Sequence, residues 1–268
     1  MAQRGFVRVT DAALELGVSD VTIRGDLTAL EAAGILTRVH GGAMPVTATE
    51  SSLESSLDRD AVAKRQIAAA AARLVSSGQS IYVDAGSTAM ALASALVQRH
   101  DLHDVVIVTS SITVALALEP ALPRFTVIVT GGTLRPLQHS LVNPFAAPML
   151  DALNLDLAFI GCNGIHPTGG VTNVNLPEAE IKTHVLRRSR SHVLIADASK
   201  LGRIDLAVIA PVADFDTLVT AGDARAVASA LLSQGTDLDA RPGLRNWLTV
   251  SDMSARIGAT YASTGPGL

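Results

Sequence analysis

Between residues 80 and 221 the chain alternates short apolar runs with longer amphipathic stretches, and few folds accommodate that rhythm. The runs are SIYVDA, VVIVTS, FTVIVTGG, LDLAFIG, HVLIAD, LAVIA and TLVTA. Consecutive rather than alternating apolar residues, many of them β-branched, suit strands buried on both faces. Helical stretches fall among them at 88–99, 111–118, 145–153 and 176–189, with another at 223–233. A further helix, AVAKRQIAAAAARLV, starts at residue 61 and is closed by Gly78. Alternation of this kind predicts βαβ units: a Rossmann-like α/β domain with a mainly parallel sheet, helices on both faces and right-handed crossovers. The domain is expected over 61–235. Hydrophobic residues make up 48% of the chain and aromatics only 3%, so small side chains must pack the helices closely onto the sheet. After Gly235 the periodicity fades. Residues 236–268 are read as a C-terminal tail, poorly ordered or ending in a late helix, with no function assigned.

The N-terminal segment has a different grammar. In GVSDVTIRGDLTALEAAGILTRVHGG, residues 17–42, Gly17 ends one short helix and Ser19 is placed to N-cap the next. Ile23, Leu27 and Leu30 fall at i, i+4 and i+7 and give that helix one apolar face. Gly34 stops it, and ILTRVHGG follows as an extended ribbon with a Gly-Gly turn. By itself the pattern fits either an amphipathic helix followed by a hairpin, or the second half of a winged helix-turn-helix. In the latter, Thr22 and Arg24 lie near the end from which a recognition helix reads bases. Arg38 and His40 on the ribbon can reach phosphates. The net charge is −4, so any DNA contact must come from a local patch. The segment has no Lys, and its acids roughly balance its arginines, which weakens the electrostatic case. Residues 47–60, TATESSLESSLDRD, are polar and read as a linker.

Ligands of open α/β sheets bind at the carboxyl ends of the strands, and four strand ends here carry small polar residues. Asp84-Ala85-Gly86-Ser87-Thr88 joins a flexible glycine to two hydroxyls where a helix begins, a place that suits either a phosphate or a simple N-cap. Thr109-Ser110-Ser111, Thr130-Gly131-Gly132-Thr133 and Gly161-Cys162-Asn163-Gly164 are the other three. Together they suggest a polar, anion-friendly crevice. The chain has three lysines, 64, 182 and 200, in a total of 21 basic residues. Lys200 follows the strand HVLIAD and is expected to touch a ligand. Lys182 follows Glu178 by four positions and is expected to form an ordinary helical ion pair. The single Cys162 excludes an internal disulfide and points to a reducing compartment, with a role in packing. No signal peptide and no apolar run of about 18 residues is visible, so a cytoplasmic chain without membrane contact is expected.

Taken together these motifs resemble the DeoR family of bacterial repressors. The N-terminal resemblance rests on Val7, Val9, Leu16-Gly17-Val18-Ser19, Thr22-Ile23-Arg24-Gly25-Asp26-Leu27, Leu30-Glu31, Gly34, Arg38 and His40-Gly41-Gly42-Ala43. It continues through Glu54, Leu57, Arg59, Lys64 and Ile67-Ala68 to Asp84–Thr88, Thr130-Gly131-Gly132, Leu141-Val142 with Pro144, and Gly161 with Asn163-Gly164. The Glu178–Lys182 segment and Ala196-Asp197-Ala198-Ser199-Lys200 complete it, near residue 222. There are departures. The family's opening helix is missing from this chain, so the winged helix-turn-helix, assigned to residues 1–46, is read as partial. Either the start is set too far downstream or this copy binds DNA weakly. Gly25 stands where the family has a second Arg, and Asn143 where it has Gly.

The resemblance implies a sensor domain similar to ribose-5-phosphate isomerase in fold and a double-stranded DNA operator as partner. It implies a phosphorylated sugar as effector, no cofactor, no metal and no catalytic residue. A homodimer or tetramer is expected because operators come as paired half-sites. Ser19, Thr22, Arg24, Arg38 and His40 would contact DNA. Asp84, Gly86, Ser87, Thr88, Thr109, Ser110, Gly131, Gly132, Asn163 and Lys200 would form the effector site. Two alternatives stand beside a regulator of carbohydrate genes. One is a sugar-phosphate isomerase-like enzyme, although the strand end Gly161–Gly164 lacks its carboxylates. The other is a sensor whose DNA-binding head does not function.

Overall fold

The computed structural model describes residues 7–32, 36–39, 42–45, 50–221 and 246–249. The chain divides into two compact units, Met1–Thr49 and Glu50–Leu268. In the first, strand β1 (Val7–Arg8) leads into helix α1 (Val9–Leu16), then α2 (Asp20–Ala32), β2 (Leu36–Val39) and β3 (Gly42–Pro45). Gly17 takes a left-handed conformation, φ 66°, and its N–H closes α1 by donating to Ala13. The chain turns, and Ser19 caps α2 by accepting from the Thr22 N–H at 3.1 Å. Val9 and Ala13 of α1 pack with Ile23 and Leu27 of α2 and with Ala43. The three strands form an antiparallel sheet in the order β1-β3-β2. This is a helix-turn-helix with a β-ribbon wing, as the residue pattern anticipates.

The second unit opens with α3 (Leu53–Asp58) and α4 (Ala61–Ala72), followed by β4 (Ser80–Val83), α5 (Ser87–Val97), β5 (Val105–Thr109), α6 (Ile112–Leu118) and β6 (Phe125–Val129). A hairpin, β7 (Thr133–Arg135) and β8 (Ser140–Val142), precedes α7 (Ala146–Asp151) and β9 (Leu155–Ile160). A second hairpin, β10 (Gly164–His166) and β11 (Gly170–Asn173), precedes α8 (Leu176–Arg188) and β12 (Ser189–Ile195). Then come β13 (Ala207–Ala210), β14 (Thr217–Thr220) and β15 (Asn246–Thr249). The main sheet is parallel throughout, in the order β15-β14-β12-β9-β4-β5-β6. Counted along the chain, the strand order reverses between β4 and β9. That switch point is where such sheets open a crevice at their carboxyl edge.

Alternate strand residues feed two cores. Ile81, Val83, Ile107, Leu157, Phe159, Val193 and Ile195 face α4, α5 and α6. Tyr82, Val108, Ala158, Ile160 and Leu194 face α7, α8 and a small antiparallel sheet, β10-β11-β13. Period-two burial on both faces is why these runs are continuously apolar.

Three expectations need correction. Residues 50–60 are not a free linker: they belong to the second unit, α3 lies within them, and Leu53 is buried. LAVIA is not a strand of the parallel sheet but β13, paired antiparallel with β11. Its Val208 and the preceding Leu206 are exposed while Ala207 and Ile209 are buried, so the apolar run conceals a one-sided strand. The seventh parallel strand is instead β15, inside the stretch assigned to the tail, in register with β14. The helix expected at 223–233 lies outside the described residues.

Gly132 explains how the β7–β8 hairpin closes. Its φ is +136°, and a Cβ placed there would sit 1.8 Å from the Val142 carbonyl oxygen. Gly132→Ala is expected to destabilise the protein by at least about 2 kcal/mol, through overpacking against backbone that cannot retreat. Urea unfolding will measure it. Elsewhere, Arg99 donates to both oxygens of Asp101, at 2.7 and 2.6 Å, and this hydrogen-bonded pair holds the Asp101 carboxyl down at about 2. The pair's contribution is complete above the ordinary value of 3.8 and drains away as pH falls through about 2. In Arg99→Gln the Asp101 carbon resonance is expected to titrate back near 3.8.

Candidate functional site

In the first unit the residues expected to meet DNA gather at the start of α2. Ser19 and Thr22 join hydroxyls at 2.8 Å, besides the backbone cap. Arg24 is exposed and within 3.9 Å of Asp20 one turn back, a loose pair that leaves the guanidinium accessible. Gly25 is open: a Cβ there would meet no atom within 4 Å. Arg38 lies on β2, and His40 lies outside the described residues.

In the second unit the switch point between β4 and β9 is occupied by the protein itself. Asp84, 1% exposed, accepts from the Ala85 and Gly161 amides, each at 2.8 Å. Its second oxygen also meets Lys182 Nζ at 3.0 Å. Lys182, 5% exposed, donates further to the Gly161 carbonyl at 2.9 Å and to Asn173 Oδ1 at 3.2 Å. Its three ammonium protons thus have three acceptors. Burial works against the charge on Lys182, but Asp84 and Glu178 outweigh it and hold the ammonium above its usual range. Burial pushes the Asp84 carboxyl up, against the pull of Lys182. Lys182 is therefore not the surface helical pair expected from its spacing to Glu178. A legible signal existed: Lys182 sits among Ala179, Val185 and Leu186 on the buried stripe of α8.

Beside this pair, Glu178 accepts from Ser140 at 2.5 Å and from Arg135, and Arg135 reaches on to Glu50. Sequence reasoning singles out neither Arg135 nor Ser140, since the hairpin that carries them has no strong strand pattern.

Several expected effector residues serve the fold from within. Thr109 accepts from the Ser111 amide at 3.0 Å, and Ser110 shares a buried hydrogen bond of 2.8 Å with Tyr82. Asn163 accepts from the Val174 amide at 3.0 Å. Gly131 is exposed, and a Cβ there would stand 3.2 Å from Phe145 Cβ, while Gly132 lies under Val142. Burial pushes the Cys162 thiol up to about 12, which removes it as a nucleophile.

Gly131 is exposed and Gly132 and Asn163 are half-buried, and further accessible residues lie at the start of α5. Gly86 occupies the N-cap with φ 107° and supplies no side-chain cap, while Ser87 and Thr88 are half-buried. Lys64, Arg65, Ser87 and Ser94 line one cavity there. Lys64 is held by the Ser56 and Arg59 carbonyls, each at 2.5 Å, and burial lowers its pKa. Asp197 and Lys200, past the carboxyl end of β12, act electrostatically on Lys64, the first raising its pKa and the second lowering it. Asp197 caps the turn carrying Lys200 by accepting from the Ser199 amide at 2.9 Å.

The comparisons agree with this two-unit reading. Residues 1–49 match the DeoR-like helix-turn-helix domain, and residues 59–222 match the DeoR C terminal sensor domain. The chain is 33% identical to the HTH-type transcriptional regulator GolR of Listeria innocua, over 81% of this chain and 85% of that one. It is 29% identical to the glycerol-3-phosphate regulon repressor of Haemophilus influenzae, over 88% of this chain and 91% of that one. Ribose 5 phosphate isomerase A from Neisseria gonorrhoeae superposes on 51% of this chain and 52% of its own with a TM-score of 0.38 at 18% identity.

Removing one member of a satisfied buried ion pair strands the other. Lys182→Met is expected to cost about 3–5 kcal/mol in urea unfolding, and adding Asp84→Asn to recover part of it. A cost below about 1 kcal/mol would mean the pair does not anchor the switch point.

Proposed function

The chain belongs to the DeoR family of helix-turn-helix transcriptional regulators, and from that premise we propose that it represses genes of carbohydrate metabolism and leaves its operator when a phosphorylated sugar binds the second unit. The observation that carries the effector half is the uncapped start of α5. No side chain caps the helix, so its free N–H groups and the positive end of its dipole are available to an anion. Lys64 lines the cavity that includes Ser87, and Lys200 lies past the carboxyl end of β12, at the same edge of the parallel sheet. In this reading Ser87, Thr88 and Lys200 hold the phosphate and Gly86 lets the backbone approach it. Asp84, Thr109, Ser110, Gly131, Gly132 and Asn163 shape the edge behind. A relative named for a glycerol-3-phosphate regulon supports a phosphate ester.

For the DNA half, α2 presents Thr22 and Arg24 to base edges while Ser19, Arg38 and His40 hold phosphates. Paired half-sites would require a homo-oligomer. Catalysis is not part of this reading. The carboxylate and ammonium at the switch point are spent on each other and buried, which leaves neither placed to take a proton from a sugar carbon.

Fluorescence anisotropy with DNA upstream of the chain's own gene, at near-physiological salt, tests the proposal. Saturable binding that beats a random duplex and weakens with ribose 5-phosphate, fructose 6-phosphate or glycerol 3-phosphate is expected. Binding no tighter than the random duplex would sink the repressor reading. Ser87→Ala and Lys200→Ala should lose the response to ester while binding DNA as the native chain does. Gly25→Arg should tighten DNA binding and steepen its salt dependence by about one phosphate contact. It should also stabilise α2 by up to about 1 kcal/mol, because glycine is a poor helix former and the site has room.

A further inference from the structure

The hairpin β7–β8 touches two places of functional interest, and no other role accounts for its polar side chains. At one end is the loop that opens α5: Gln138 Oε1 lies 4.0 Å from where a Gly86 Cβ would stand. At the other end are the first residues of the second unit, which in chain order directly follow the DNA-binding unit. The same Gln138 donates through Nε2 to the Ser51 carbonyl at 2.6 Å. The Leu137 carbonyl accepts from the Leu53 amide at 2.9 Å. His139 meets Glu54 at 2.7 Å. Arg135 bridges Glu50 to Glu178, and Glu178 neighbours the Asp84–Lys182 pair. Residues 50, 51, 53 and 54 thus each bond to a side chain or backbone group of one short hairpin.

We infer that the β7–β8 hairpin is a strap that couples the loop at Gly86–Ser87 to the chain leading into the DNA-binding unit, with Gln138 and Arg135 as its two grips. The ligand part of this inference rests on the effector reading above. An anion drawn onto the start of α5 favours the loop position that best presents its N–H groups. Gln138 lies beside that loop and holds Ser51 with the same amide, so a loop movement toward Gln138 would push against its hold on Ser51. The strap is then in one arrangement with the loop empty and in another with it filled. A ligand shifts such an equilibrium only by its difference in affinity for the two. Arg135 is the second grip because its guanidinium fork holds two carboxylates from separate parts of the chain.

Two measurements on the full chain decide the matter. Without any ester, Arg135→Gln and, as a milder variant, Glu50→Gln should speed amide hydrogen exchange at residues 50–54. They should also change affinity for the upstream DNA by about fivefold or more, the low end of ordinary coupling. Unchanged exchange, or faster exchange with unchanged affinity, overturns the inference. With ribose 5-phosphate, fructose 6-phosphate and glycerol 3-phosphate, Gln138→Ala should need about tenfold more ester than the native chain does to lose half of its own ester-free DNA affinity. Release at the native concentration overturns the inference. If no ester binds the native chain, the effector reading falls, and the ligand-free variants still decide whether the strap governs DNA affinity.

Discussion

Everything at the functional edge of the sensor unit is arranged around one buried ion pair, Asp84 with Lys182. A parallel sheet whose strand order reverses must splay at the switch point, and the opening has to be filled by ligand, water or side chain. Here it is filled by a carboxylate and an ammonium, both nearly inaccessible. Such burial is costly unless every charge and proton finds a partner. It does so because Gly161 offers both its N–H and its carbonyl, and Asn173 on β11 supplies the remaining acceptor. The second hairpin is therefore not decoration. It carries Asn173 to the ammonium, and Asn163 just before it fixes the Val174 amide. With the switch point closed, the accessible polar surface moves sideways to the start of α5.

The sequence reveals the layers better than the edge. Continuous apolar runs mark the buried strands because two cores, one on each face, leave few mid-strand positions for a polar side chain. The same signal misplaces LAVIA, since Leu206 and Val208 are apolar yet exposed, and nothing in hydropathy tells an exposed valine from a buried one. It misses β15 because one short strand amid Gly and Pro has no period to detect. The hairpin β7–β8 escapes for another reason. Its residues are held by hydrogen bonds to distant parts of the chain, and Arg135 and Ser140 acquire meaning only when folding brings Glu178 to them.

At the edge itself, the structure separates residues that the sequence reading groups together. Small polar residues at strand ends look alike in a sequence, whether they face solvent or each other. Thr109 and Ser110 are buried and satisfy an amide and a tyrosine hydroxyl, whereas Asn163, Ser87 and Thr88 keep accessible surface, Asn163 while accepting from the Val174 amide. The difference is made at the helix into which a strand leads. Ser111 caps α6 with its own hydroxyl, accepting from the Val114 amide at 3.2 Å, so that helix start is closed. At α5 the cap position is Gly86, which has no side chain to close it. An uncapped helix start is a different object from a capped one, although both read as a strand end followed by small residues.

The choice between lysine and arginine makes the same point from the side of charge. The chain uses three lysines, and two of them, Lys64 and Lys182, sit where acceptors converge on a single point: two carbonyls for one, a carboxylate, a carbonyl and an amide for the other. A compact ammonium fits such a cradle, and a planar guanidinium does not. Arginine appears where acceptors are spread apart. Arg124 spans the Val97, Arg99 and Leu102 carbonyls at the end of α5, and Arg135 spans two carboxylates. A chain this sparing with lysine places it by geometry rather than by net charge. By that logic Lys200 is the informative exception. It is a lysine at the end of β12, half-buried, on a turn that Asp197 holds rigid through the neighbouring Ser199. Its point charge lies past the carboxyl end of β12, the same edge of the parallel sheet at which glycine leaves the start of α5 uncapped.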